Sequence, residues 1–230
     1  MADLTLAQLK KAYDAALEQI AAESFLTFGM LPAQFIESLQ AGNNPGAAPT
    51  ADDLPGKLRM TLEQAQDFVA RYRIIDSYQN DATGFSAVAL RDTGGDADPS
   101  NDRVVIAVRS TEINNDTARD VGADAQIFTT GFAFDQILSA QDFLNRVRPQ
   151  LLPGEKIDFV GYSLSGNVVR TLAAMYPTEV NQTAGANVVF NATGLGGFTD
   201  PTGQNRPRST VTRSRVSRSA LMKSETKEAA

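Results

Sequence analysis

Residues 156–176 read KIDFVGYSLSGNVVRTLAAMY, and this stretch carries the strongest structural signal in the chain. Residues 157–160 have the pattern of a buried strand that enters a turn without a break. Beyond the turn, apolar residues recur at helical spacing, and Pro177 follows. These residues are Val168, Val169, Leu172, Ala173 and Met175. The stretch predicts a strand, a tight turn and a helix.

Small residues flank Ser163 at the centre of this turn. Gly161 lies two positions before it and Ser165 two positions after it. At a strand-to-helix junction this spacing is typical of a nucleophile elbow, where bulky flanks would collide and the serine hydroxyl is pushed into the open. The alternative is an ordinary helix start, with Ser163 or Ser165 as the N-cap.

The chain has no histidine among its 230 residues. A serine hydroxyl is a poor nucleophile near neutral pH and needs a positioned base, usually histidine, to take its proton. The elbow pattern therefore predicts a serine hydrolase, whereas the residue inventory lacks the usual base.

Composition narrows the classes of partner. The formal net charge is −6, and residues 201–230 hold seven Lys/Arg against two Glu, which leaves −11 for residues 1–200. An acidic body argues against nucleic acid as the main partner, because phosphate binding needs a basic surface. Without Cys or His, a zinc or copper site is not expected, and we expect no metal or cofactor.

The first 60 residues predict a helical segment added to the main domain. A helix is expected over Thr5 to Ala22, with an apolar stripe packed into the core. The stripe comprises Leu6, Leu9, Ala12, Tyr13, Leu17 and Ile20. A short helix is expected over 33–40 and a loop over 42–55. The N-terminus lacks the continuous apolar run of a signal peptide, and no run in the sequence is long and apolar enough to predict a transmembrane segment.

Residues 61–200 predict one α/β domain. Thr61 is the expected cap of a helix that ends near Arg71. Strands are expected over 73–79, 85–90, 103–108, 156–160 and 186–190, and helices over 133–147 and 166–176. Short turns between the first strands indicate an antiparallel start, and strand/helix alternation from residue 104 indicates parallel strands thereafter. Residues 201–230 predict a disordered basic tail, or alternatively a basic arm for an anionic partner.

Three blocks in this domain resemble bacterial class 3-type lipases, most closely the catalytic region of RTX-type lipases and phospholipases. The blocks read TGFSA from Thr83, RVVIAVRSTE from Arg103 and GYSLSG from Gly161. In that family the second block commonly contains R-G-T and the third reads G-H-S-L-G-G. The resemblance covers about residues 60–198.

The resemblance implies an α/β-hydrolase that cleaves carboxylic esters of lipids through an acyl-enzyme. Ser163 matches the nucleophile, and the Leu164 N–H and Thr111 match the oxyanion donors. Asp120 and Asp124 match a D-x-x-x-D spacing in the family, although solvated loop carboxylates are an equal alternative. Asp200 is a weaker candidate for the triad acid. The compartment stays open: the resemblance implies type I secretion, and a cytoplasmic location is the alternative.

Several residues depart from the family pattern. Tyr162, Ser165 and Ser110 replace His, Gly and Gly, and the acid and base that should follow the serine are not found. The sequence therefore predicts a hydrolase fold that is incomplete at its C-terminal end. Two functions remain open: a lipase-like esterase acting on a lipid or other ester, or a non-catalytic pseudo-hydrolase that binds a partner. The oligomeric state also stays open.

Overall fold

The computed structural model describes residues 5–43, 59–79, 81–110, 134–183 and 185–192. Within these residues the helices are α1 (Leu6–Glu23), α2 (Pro32–Ala41), α3 (Leu62–Arg71), α4 (Phe134–Val147) and α5 (Ser165–Met175). The strands are β1 (Tyr72–Tyr78), β2 (Ala87–Asp92), β3 (Arg103–Val108), β4 (Ile157–Tyr162) and β5 (Val188–Phe190). The predicted loop over 42–55 lies largely outside the described residues, and the tail over 201–230 lies wholly outside them.

The five strands form one mixed sheet in the order β1-β2-β3-β4-β5. β1, β2 and β3 pair antiparallel, whereas β3, β4 and β5 pair parallel. The prediction of an α/β sheet with an antiparallel start and a parallel continuation is confirmed. Several strand boundaries differ by one or two residues; β4 ends at Tyr162 and β5 begins at Val188, for example. β2 begins at Ala87 instead of Phe85, because the Phe85 N–H bonds to the Asp81 carboxylate 3.2 Å away and belongs to the preceding turn.

Helices cover both faces of the sheet. Alternate strand residues such as Ile106 and Phe159 pack against α4 and α5 in one apolar layer. The intervening residues, such as Val105 and Val160, pack against α1, α2 and α3 in the other. This division follows from the strand geometry, since successive side chains point to opposite faces. Among the described residues, no helix is long and apolar enough to cross a membrane.

The predicted packing face of α1 is correct only for Leu17 and Ile20. Leu6, Leu9 and Tyr13 are 83%, 50% and 53% exposed. The buried residues of α1 are Asp14, Ala15, Glu18, Gln19, Ala21, Ala22 and Glu23. Of the predicted stripe, Leu17 and Ile20 are partly buried against the apolar layer. The hydrogen-bond partners that the polar residues of α1 find on the sheet explain the orientation of this helix.

Two arginines hold Asp14 and Glu18, two of the three buried carboxylates of α1. Arg103, the first residue of β3, bonds through Nη2 to Glu18, through Nε to Asp92 at 2.9 Å and through Nη1 to Asp158 at 3.1 Å. Arg71 bridges Asp92 and Asp14 with four N–H···O contacts of 2.6–3.0 Å. Buried carboxylates are tolerated only when paired in this way, so the network determines which face of α1 meets the sheet.

Candidate functional site

Ser163 lies in the turn between β4 and α5, at the carboxyl end of the parallel strands. Its φ is +57°, in the left-handed region that a residue with a side chain seldom adopts. The Ser163 N–H donates to the Phe190 carbonyl at 2.9 Å, and its own carbonyl accepts from Gly166 at 3.1 Å. These bonds hold a strained backbone in place, and strain of this kind concentrates at functional sites.

The N-cap alternative for the serines is wrong. Leu164 occupies the N-cap position of α5, no side chain caps the helix, and Ser165 is its first residue. Ser163 therefore precedes the helix in a separate turn, with its side chain half-buried.

Close packing around the turn requires glycine at two positions. A Cβ on Gly161 would lie 2.9 Å from both the Ser165 carbonyl oxygen and Val169 Cγ2. A Cβ on Gly166 would lie 2.5 Å from the Cβ of Ala192, the second residue beyond β5. The sequence predicts the first constraint from the elbow spacing. The second depends on where β5 ends, which no local pattern indicates.

Ser165, which stands where the resembled family has glycine, braces the turn. Its buried Oγ accepts a hydrogen bond from the Tyr162 N–H at 2.8 Å. The same oxygen lies 3.0 Å from the Val108 carbonyl of β3 and 2.9 Å from that of Tyr162. A hydroxyl has one proton, so it donates to one of these carbonyls at a time. Ser165 thereby connects the turn to the end of β3.

Of the two predicted oxyanion donors, Leu164 lies within the described residues and Thr111 lies outside them. Leu164 has a buried side chain and immediately precedes α5. Its N–H belongs to the first donors of the helix, which have no intrahelical acceptor and lie at the positive end of the helix dipole. Thr111, Asp120, Asp124 and Asp200 lie outside the described residues, so their predicted roles stay predictions.

A buried polar cluster from α1 reaches the same edge of the sheet, and sequence reasoning missed it. Glu23 Oε1 accepts from the Ser110 N–H and from Gln19 Nε2, each at 2.8 Å. Gln19 Nε2 also lies 3.1 Å from the Val108 carbonyl. Gln19 and Glu23 are four residues apart, the spacing that places side chains on one helix face. In the sequence this pair looks like a solvated helix face, so no signal marks it as buried.

The environment of Glu23 perturbs its titration. Burial raises the pKa of the Glu23 carboxyl, and this effect exceeds the opposing hydrogen bonds from Ser110 and Gln19 and the attraction of Arg109. Arg109 Nε lies 3.8 Å from Glu23 Oε2, and its guanidinium lies 3.5 Å from the Phe25 ring centroid. Glu23, at the end of α1, and Phe25 therefore hold Arg109 and Ser110, the first two residues after β3.

A second polar cluster orders the turn before β2. Asp81 accepts hydrogen bonds from Ser139 of α4 at 2.6 Å and from the Thr83 hydroxyl at 2.5 Å. Burial alone would raise the pKa of Asp81, but these hydrogen bonds outweigh it and lower the pKa. Because β2 starts opposite the end of β3, this turn lies at the same edge as Ser163.

The chain matches no protein-family model, and no curated protein matches it.

Proposed function

We propose that this chain carries the nucleophile elbow of a serine ester hydrolase of the α/β-hydrolase type, with Ser163 as the nucleophile. One observation supports the proposal above all. Ser163 has a left-handed backbone in a strand-to-helix turn whose flanks at Gly161 and Gly166 leave no room for a Cβ. A strained turn of this kind is how that fold exposes its serine. The resemblance of the three sequence blocks to lipases points to lipid or other carboxylic esters as substrates.

The proposed chemistry is acyl transfer. Ser163 Oγ attacks the ester carbonyl carbon and gives its proton to a solvent water, because these residues contain no histidine to accept it, and the carbonyl oxygen becomes an oxyanion. The oxyanion collapses to an acyl-enzyme as the alcohol departs with a proton, and water then releases the carboxylic acid. The Leu164 N–H supplies one oxyanion donor, since it lies beside the nucleophile at the start of α5. By resemblance, Thr111 supplies the second.

The absence of histidine from these residues determines the rate of ester hydrolysis that we expect. No histidine is present in these 230 residues, so the usual base for Ser163 is absent from them. Disrupting a triad typically leaves roughly 10³–10⁴-fold acceleration over water, from binding and the oxyanion hole alone. We therefore expect trace ester hydrolysis by the purified chain.

The same absence favours a second candidate function. A pseudo-hydrolase that keeps the elbow fold but binds an ester or partner without turnover requires no base. In that case the purified chain binds ligand at the elbow, yet neither labelling nor hydrolysis depends on the Ser163 hydroxyl.

Labelling with a fluorophosphonate probe separates these candidates. We expect slow modification that mass spectrometry locates at Ser163, together with trace hydrolysis of p-nitrophenyl acetate. Ser163→Ala should abolish both. Ser100→Ala is the control, because Ser100 lies in an exposed turn before β3 and should label like the wild type. Labelling spread over many residues, or hydrolysis unchanged in Ser163→Ala, would refute the esterase proposal.

A further inference from the structure

A continuous set of hydrogen bonds connects α1 to the turn that contains Ser163. Gln19 of α1 and Ser165 of α5 both approach the Val108 carbonyl, at 3.1 and 3.0 Å. Glu23 holds Gln19 on one side and the Ser110 N–H on the other, at 2.8 Å each. The last residue of β3 and the second residue after it are thus held from α1.

Two buried glutamates on α1 contact opposite ends of β3. Both are 1% exposed. Glu18 bonds to Arg103, the first residue of β3, and accepts from the Tyr72 hydroxyl at 2.8 Å. Glu23 instead bonds to Ser110, beyond the other end of β3. One helix therefore carries two carboxylates of equal burial, of which only Glu23 contacts the edge where Ser163 lies.

The Glu23 cluster is poorly optimised for stability alone. Among the described residues, Glu23 Oε2 and Gln19 Oε1 are buried and accept no hydrogen bond, although Arg109 Nε forms an ion pair with Glu23 Oε2 at 3.8 Å. Burying a polar atom without a hydrogen bond costs stability. The cluster therefore has a stability cost at the edge of the sheet where Ser163 lies.

We propose that Glu23 is a positioning residue for the site around Ser163, an inference that rests on the proposed esterase function. Glu23 fixes the direction of the backbone at Ser110, the second residue after β3. Through Gln19 it also orients the Val108 carbonyl that Ser165 contacts. Oxyanion donors act only when they are held in place before the reaction, so the anchor on α1 sets how well Ser163 reacts.

Two readouts test this role, and the matched pair Glu23→Ala and Glu18→Ala serves both. The first is amide hydrogen exchange by NMR. In Glu23→Ala the Ser110 amide should exchange about tenfold faster than in the wild type, since it loses its acceptor. The Arg109 amide is the internal reference, because it bonds to the Ser86 carbonyl at 2.9 Å and not to Glu23. In Glu18→Ala the ratio of the two rates should not change.

The second readout is the rate of fluorophosphonate labelling at Ser163. Glu23→Ala should slow it about 10- to 100-fold, the range expected for small misplacements of catalytic groups. Glu23→Gln, which keeps an acceptor for Ser110, should restore most of the rate. Glu18→Ala should label at the wild-type rate despite lower stability. If Glu23→Ala fails to fold, the labelling rate of Glu23→Gln and the ratio of Ser110 to Arg109 amide exchange in the wild type can still be measured.

The outcomes separate the two proposals. Equal slowing in Glu18→Ala and Glu23→Ala overturns the positioning role and leaves Glu23 a purely structural residue. A Ser110 amide that exchanges as fast as an unbonded amide in the wild type overturns it as well. Labelling that does not depend on Ser163 refutes the esterase proposal, whereas the exchange ratio still decides whether Glu23 holds Ser110.

Discussion

At the scale of single residues, strain and close approach define the elbow. Ser163 adopts φ +57°, and the carbonyl of Phe190 and the N–H of Gly166 hold it there. Gly161 and Gly166 are needed because a methyl group at either position would overlap its neighbours. The serine hydroxyl is therefore presented at the cost of backbone strain that the surrounding packing must support.

This strain predicts a difference between two variants that both remove the hydroxyl. Ser163→Gly should be more stable than Ser163→Ala by roughly 1 kcal/mol, because glycine adopts a positive φ without a steric penalty, partly offset by its greater freedom when unfolded. Urea unfolding of the two proteins measures the difference. A more stable alanine variant would show that the turn is not strained at Ser163.

At the scale of elements, charge pairing docks α1 on the sheet. Arg103 forms ion pairs with three carboxylates, each from a different element: Glu18 on α1, Asp92 on β2 and Asp158 on β4. Their side chains are 1%, 5% and 3% exposed. Polar pairing and not the apolar stripe thus sets the rotation of α1, which leaves Leu6 and Leu9 exposed.

Removing the arginine tests this account of α1 docking. Arg103→Leu should destabilise the protein by roughly 3–5 kcal/mol, because it leaves buried carboxylates without their partner. Arg146→Leu is the matched control: Arg146 pairs with Asp76 but its side chain is 50% exposed, so its loss should cost about 0–1 kcal/mol. Chemical denaturation measures both, and equal losses would contradict the buried-network explanation.

At the scale of the whole molecule, the paired carboxylates of Asp14 and Asp92 contribute to the response to acid. For Asp14 and Asp92, burial opposes ionisation, but hydrogen bonds and attraction from Arg71, with Lys10 at Asp14 and Arg103 at Asp92, outweigh it and lower both pKa values. A carboxyl whose pKa is lower in the folded state binds its proton more weakly there than in the unfolded chain. Its contribution to stability is therefore present above the unfolded pKa and is lost as the pH falls through the folded pKa.

The acid limb of stability should accordingly begin near pH 4, about where unfolded Asp residues titrate. The contribution of Asp14 and Asp92 to the free energy of unfolding should decline below that pH. Asp92→Asn should make the decline shallower, since one of the titrating groups is gone. Urea unfolding between about pH 3 and 6 measures the slopes, and an identical slope in the variant would exclude Asp92 as a source of the acid response.

Local patterns were sufficient to predict the elements that build the site. The strand at 103–108 and the strand–turn–helix around Ser163 follow from unbroken apolar runs, helical periodicity and small flanking residues. Thr61 forms the predicted cap, accepting from the Gln64 N–H at 3.2 Å. The start of β2 and part of the α1 face were predicted incorrectly, because the carboxylates of Asp81 and Glu18 accept hydrogen bonds that outweigh the apolar pattern.

By itself, the sequence determined the order of strands and helices, the change from antiparallel to parallel pairing, and the position of Ser163 in a turn. These features depend on residues close together in the chain, where periodicity and steric size act directly. Only the tertiary structure decided that Glu23 contacts Ser110, 87 positions away, and that Glu18 meets Arg103, 85 positions away. Such pairings arise when the sheet brings distant residues together, and a polar helix face has the same pattern whether water or an arginine covers it.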